Sequence, residues 1–172
     1  VSVLAIDDVR PDLIPALREI ILDASTRRPT SGSSNVGGWK STVDFLSWPE
    51  PAIRELAAEL GVRARERIAA PILRSWAMIN RAGSYHAWHH HGMELSGVYY
   101  VAPGNPAVPT LFRARASRDA ANHEPCDEIA CEPRVGRLVL FGNLIHGVPV
   151  YDGAEPRITI AFDVGQTAQD LA

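Results

Sequence analysis

From Ile72 to Val164 the sequence is a succession of short apolar runs, each closed off by Gly, Pro or Asn, and that punctuation limits the folds open to the chain. The runs are Ile72 to Asn80, Tyr85 to His91, Leu95 to Val101, Thr110 to Arg115, Arg137 to Phe141, His146 to Tyr151 and Ile158 to Val164. Short strands recurring at such intervals point to a closed or double-sheet antiparallel architecture, a jelly roll. Upstream the texture is helical. Asp12 to Ala24 places Leu13, Ile14, Leu17, Ile20 and Ile21 at helical spacing, and Ala52 to Ala69 does the same with Ile53, Leu56, Ala57, Leu60 and Val62. A helix start is expected over Ser47-Trp48-Pro49-Glu50, with acidic residues in its first turn. Val1 to Ile6 reads as an edge strand, residues 26–38 as a loop rich in Ser, Thr, Gly and Pro, and residues 117–133 as a long polar loop across the mouth. The expected fold is therefore mainly β with N-terminal helices (α+β), a double-stranded β-helix. It forms one domain over 1–172, with a mainly helical flank at 1–70 and the jelly-roll core at 71–172.

Composition excludes several classes of function. The 172 residues carry a net charge of -3 with no Lys/Arg stripe, so nucleic acid is not an expected partner. Arg63, Arg65 and Arg67, interleaved with Glu66, read as a solvated helix face. No apolar run reaches membrane-spanning length and the N-terminal run lacks the basic start of a signal peptide, so a cytoplasmic protein without membrane contact is expected. Cys126 and Cys131 are too few for a disulfide scaffold and lack the company of a zinc site. Phosphate-loop, serine-hydrolase and thiol-redox motifs are absent.

The chemistry concentrates in Tyr85-His86-Ala87-Trp88-His89-His90-His91-Gly92, which holds four of the six histidines. Alternate side chains of a strand share a face, so His89 and His91 project together while His90 points away. Two imidazoles on one face, joined by a third from a distant segment, make a metal site of the kind neutral imidazole favours. His146 is the candidate third member. A surface cluster is the bland alternative, but the flanking Trp88 and strand pattern weigh against it. A register using Trp88 and His90 fails because tryptophan cannot ligate. His86, an odd number of positions from His89, is expected behind the site or at the surface, and His123 is expected in solvent.

The ordered set His89-x-His91, Ser96-Gly97-Val98-Tyr99-Tyr100, Gly136 to Phe141, His146 and Arg157 resembles the 2-oxoglutarate/Fe(II)-dependent oxygenases, and most closely a bacterial group within that superfamily. The match extends weakly to Gly38-Trp39-Lys40-Ser41 and to Trp76 through Gly83. What the resemblance implies is Fe(II) held by His89, His91 and His146, with 2-oxoglutarate as cosubstrate. Dioxygen is then the oxidant, and the expected reaction is hydroxylation of an unactivated C–H bond in a small molecule or peptide. In the superfamily the second motif position is usually a carboxylate; here it is His91, and Glu94 is the alternative carboxylate ligand.

Arg157 is the implied clamp for the distal carboxylate, since a guanidinium fork matches a carboxylate bidentately. Thr159, two positions on, shares its strand face and can donate a hydroxyl to the same group. Tyr100 and Asn80 stand where relatives place further polar contacts to the cosubstrate. A cupin-like metal-binding or sensor protein without oxygenase activity is the rival reading, supported by the missing carboxylate and opposed by Arg157-x-Thr159. Halogenation is a weaker third, since Gly92 follows His90 at the required spacing only in the less favoured register. Substrate identity and assembly, a homodimer included, are open at this level.

Overall fold

The computed structural model describes residues 3–30, 35–113 and 128–165. Among these, the strands are β1 (Val3–Ile6), β2 (Asn35–Val36), β3 (Trp39–Lys40), β4 (Ile72–Asn80), β5 (Tyr85–His89), β6 (Leu95–Ala102), β7 (Thr110–Arg113), β8 (Glu128–Cys131), β9 (Leu138–Phe141), β10 (Ile145–Val148) and β11 (Arg157–Val164). They form two antiparallel sheets, one in the order β1-β9-β6-β11-β4-β3 and the other β2-β5-β10-β7-β8. The two sheets make the double-stranded β-helix. Helices α1 (Ile14–Arg27) and α2 (Pro51–Arg65) accompany them.

Strict alternation along the central strands makes two cores from one sheet. On β11, Ile158, Ile160, Phe162 and Val164 pack with Leu17 and Ile21 of α1 and with Ile53, Leu56 and Leu60 of α2. The helical residues recur at three- and four-residue steps, which is why each helix offers one apolar stripe. The opposite face of the same sheet supplies Trp76, Met78, Val98, Tyr100, Val139 and Phe141 to a second core, where Phe112 of the smaller sheet meets them. The large sheet is thus buried on both faces, and its inner face looks into the barrel.

The strand over Ile72–Asn80 and the edge position of the N-terminal strand agree with the sequence reading. Other boundaries differ for identifiable reasons. Helix α2 begins at Pro51, not near Ser47, and Phe45–Ser47 forms a separate 3-10 turn. Trp48 and Glu50 both precede prolines and are both extended (ψ 152° and 131°), because a following proline ring disfavours helical backbone. β10 stops at Val148, where Pro149 has no N–H to donate. Within the expected loop over 117–133, Glu128–Cys131 is an edge strand paired with β7, and its four residues are too few to show a period in the sequence. Residues 117–127 of that loop, with Cys126 and His123, lie outside the described residues. The N-terminal flank also adds strands to both sheets through β1, β2 and β3. Among the described residues no helix is long and apolar enough to cross a membrane.

Candidate metal and cosubstrate site

Antiparallel pairing of β5 with β10 sets His89 opposite His146. The chain then leaves the ladder, and His91, two residues beyond His89, lines the same cavity before the backbone turns at Gly92 (φ 71°). One ligating atom from each of His89, His91 and His146 lies within 4.8 Å of the others, which is the only such group of three among the described residues. Their ring centroids are 4.3 Å (His89–His146), 4.9 Å (His91–His146) and 5.1 Å (His89–His91) apart.

Each imidazole is oriented through its Nδ1. His89 Nδ1 lies 2.7 Å from the Ala87 carbonyl, His146 Nδ1 3.1 Å from the Leu144 carbonyl, and His91 Nδ1 2.6 Å from Asp163 Oδ1. Carbonyl and carboxylate oxygens only accept, so each Nδ1 carries the proton and donates it. That leaves three Nε2 lone pairs for a cation, the arrangement in which a metal-binding histidine is held by an outer partner. Burial, followed by the neighbouring His89, pushes His146 down to about 3, and burial also lowers His89. Both rings are therefore neutral, as ligation requires.

His90 and Glu94 are exposed and stand outside the group. His86 is buried rather than at the surface, with Nε2 2.9 Å from Asn35 Oδ1, and burial together with the charge of Arg157 pushes it down to about 3. It borders the same cavity as the trio without joining it.

That cavity is lined by the three histidines and also by Arg157 and Thr159, with Met78 among its apolar walls. Arg157 is 1% exposed, and no carboxylate pairs with it among the described residues. Its Nε donates to the Val108 carbonyl (3.1 Å), Nη1 to Asn80 Oδ1 (3.3 Å) and Nη2 to Thr110 Oγ1 (3.1 Å). Tyr100, fully buried, contacts Thr110 through its hydroxyl (2.7 Å) and sets its ring 5.2 Å from the guanidinium carbon. Tyr100 and Asn80 therefore hold the arginine in place. Asn80 Nδ2 and Thr159 Oγ1 are buried without a partner. Burial lowers the pKa of Arg157, yet a guanidinium keeps its proton in proteins. A buried cation beside orphaned donors is costly unless an anion completes it. These groups fit the tail of a carboxylate ligand that enters from the cavity.

Sequence reasoning missed Asp163, which accepts from His91, from Ser96 Oγ (2.8 Å) and, at Oδ2, from Arg74 Nη2 (2.7 Å). Burial works against its charge, but the hydrogen bond and charge of His91, then Ser96 and Arg74, outweigh it and hold the carboxyl below its usual range. A charged residue at an even step from Arg157, in an otherwise apolar strand, was the available signal. Thr110 and Asn35 carried none.

A double-stranded β-helix with three inward imidazoles and a buried cation in one cavity fits a non-heme metal oxygenase. A family model described as "Putative 2OG-Fe(II) oxygenase" matches residues 74–163, and the chain belongs to that family of 2-oxoglutarate- and Fe(II)-dependent oxygenases. No curated protein sequence matches the chain. The fold is similar to a Pseudomonas putida prolyl-4-hydroxylase, with a TM-score of 0.68 at 16% identity over 96% of this chain and 93% of that one. HygX from Streptomyces hygroscopicus, solved with nickel, 2-oxoglutarate and hygromycin B bound, gives 0.71 at 14% identity over 96% and 83%. The α-ketoglutarate-dependent carbocyclase SnoK from nogalamycin biosynthesis gives 0.73 at 11% identity over 94% and 78%.

Proposed function

We propose that the chain hydroxylates an unactivated C–H bond of a small molecule or peptide in the cytoplasm, with Fe(II) held by His89, His91 and His146 and 2-oxoglutarate anchored by Arg157. The observation that carries this reading is the buried Arg157, paired with no carboxylate among the described residues, in the cavity that the three histidines also line. When bound, iron and 2-oxoglutarate supply the activation of dioxygen that the side chains cannot. The chain's own residues do the rest. Nδ1–H bonds fix the three imidazoles with their lone pairs inward. Arg157 receives the distal carboxylate, Thr159 donates its free hydroxyl to it, and Tyr100 and Asn80 keep the guanidinium aimed. Met78, Val98, Phe141 and Ala161 line the cavity with apolar surface and limit water around the reacting atoms.

A cupin-like binder would leave the buried cation and the orphaned Thr159 hydroxyl without purpose. Calorimetric titration of the nickel-loaded protein with 2-oxoglutarate tests the reading. The wild type binds and Arg157→Ala does not; equal binding by both removes Arg157 from the role.

A further inference from the structure

Among the described residues Asp163 is the one carboxylate with no exposure that touches the histidine group, and it is a costly residue to keep there. Moving a carboxylate out of water remains unfavourable even after the surroundings relax. Its pairing with Arg74 does not explain it, because the Arg74 side chain is 45% exposed and solvent screens a pair of that kind. Orientation of His91 does not explain it either, since the neutral carbonyls of Ala87 and Leu144 orient the other two rings. What distinguishes Asp163 from those carbonyls is its charge.

An imidazole must be neutral to ligate, so three histidine ligands bring no charge to a dication, in a barrel that already encloses the Arg157 cation. Resting on the iron-site reading above, we infer that Asp163 is the charge-compensating positioning residue of this centre: the carboxylate absent from the ligand set stands one imidazole away, and His91 and Asp163 act together as the anionic ligand. The His91 proton stays on Nδ1 and is shared toward Asp163 Oδ1, which makes Nε2 a stronger donor to the metal. Ser96 fixes the same oxygen, and Arg74 draws charge away at the other. Removing Asp163 therefore weakens the site, and removing Arg74 strengthens it.

Co(II) titration of the purified full chain, followed in the visible region, gives the first readout, and the Fe(III)/Fe(II) potential of the iron-loaded protein without cosubstrate gives the second. Asp163→Asn keeps an acceptor for His91 but loses the charge; it binds Co(II) about 10- to 100-fold more weakly and raises the potential, because the lost anion favoured Fe(III). Arg74→Ala binds more tightly and lowers the potential. A purely structural carboxylate would shift the melting temperature and leave the potential where it is. If Asp163→Asn folds and matches wild type in both readouts, the inference is overturned while the trio stands. If wild type itself takes up no Co(II), the iron-site reading fails instead. Should Asp163→Asn not fold, Arg74→Ala decides alone: tighter binding with a lower potential supports the inference, and no change in either overturns it.

Discussion

His89 and His146 are direct partners across the β5–β10 ladder, and their rings stand 4.3 Å apart at the centroids. Register therefore determines whether the proposed ligands meet, since a slip of one residue would turn His146 out of the barrel. His146→Ala and His89→Ala are expected to abolish stoichiometric Co(II) or Ni(II) binding in calorimetry. His90→Ala and Glu94→Ala, both at exposed positions, are expected to bind as wild type. Loss of binding in Glu94→Ala would return a carboxylate to the ligand set.

Thr159→Val separates cosubstrate binding from stability. Its hydroxyl is buried without a partner, so an isosteric methyl should stabilise the apo protein by roughly 1 kcal/mol in urea unfolding. The same change should weaken 2-oxoglutarate binding about tenfold, as one hydrogen bond to a charged group is lost. Unchanged affinity would mean that the hydroxyl does not reach the cosubstrate.

Gly97, in the Ser-Gly-Val-Tyr-Tyr motif, faces the Phe162 ring across β6 and β11. A Cβ there would overlap the ring, so Gly97→Ala should cost about 1–3 kcal/mol by overpacking, read as a lower melting temperature. Adding Phe162→Leu should recover part of the loss. A Gly97→Ala protein as stable as wild type would show that the sheet yields at that point.

The metal-free protein should lose stability on mild acidification. His86 and His146 are each pushed down to about 3, chiefly by burial, from an ordinary value near 6.5. The unfolded chain then binds more protons than the folded one, so their contribution is present above pH 6.5 and is lost progressively as pH falls from there toward 3. Urea midpoints at pH 7.5 and 5 measure it, and His86→Gln should flatten the slope. A flat profile in wild type would mean that these rings charge freely in the folded state.

Much of this was legible in the residues. The apolar runs mark β4, β6 and β11 closely because those strands are long and buried on both faces. The grouping of the three histidines was legible from their imidazoles and period-two spacing, although His91 lies past the end of β5, just before the turn at Gly92. The short strands β2, β3 and β8 were not visible, since two to four largely polar or exposed residues have no periodicity to read. The partners of Arg157 and His91 were equally hidden. Thr110 and Asp163 acquire their roles only when strands distant in sequence close around one cavity.

The most direct test of one cavity holding both iron and 2-oxoglutarate is anaerobic Fe(II) titration with and without 2-oxoglutarate, following the weak visible charge-transfer band of the chelate. The account predicts a band that needs both components in wild type and is lost in Arg157→Ala at the same 2-oxoglutarate concentration. Iron binding without the band, or a band undiminished in Arg157→Ala, would contradict it.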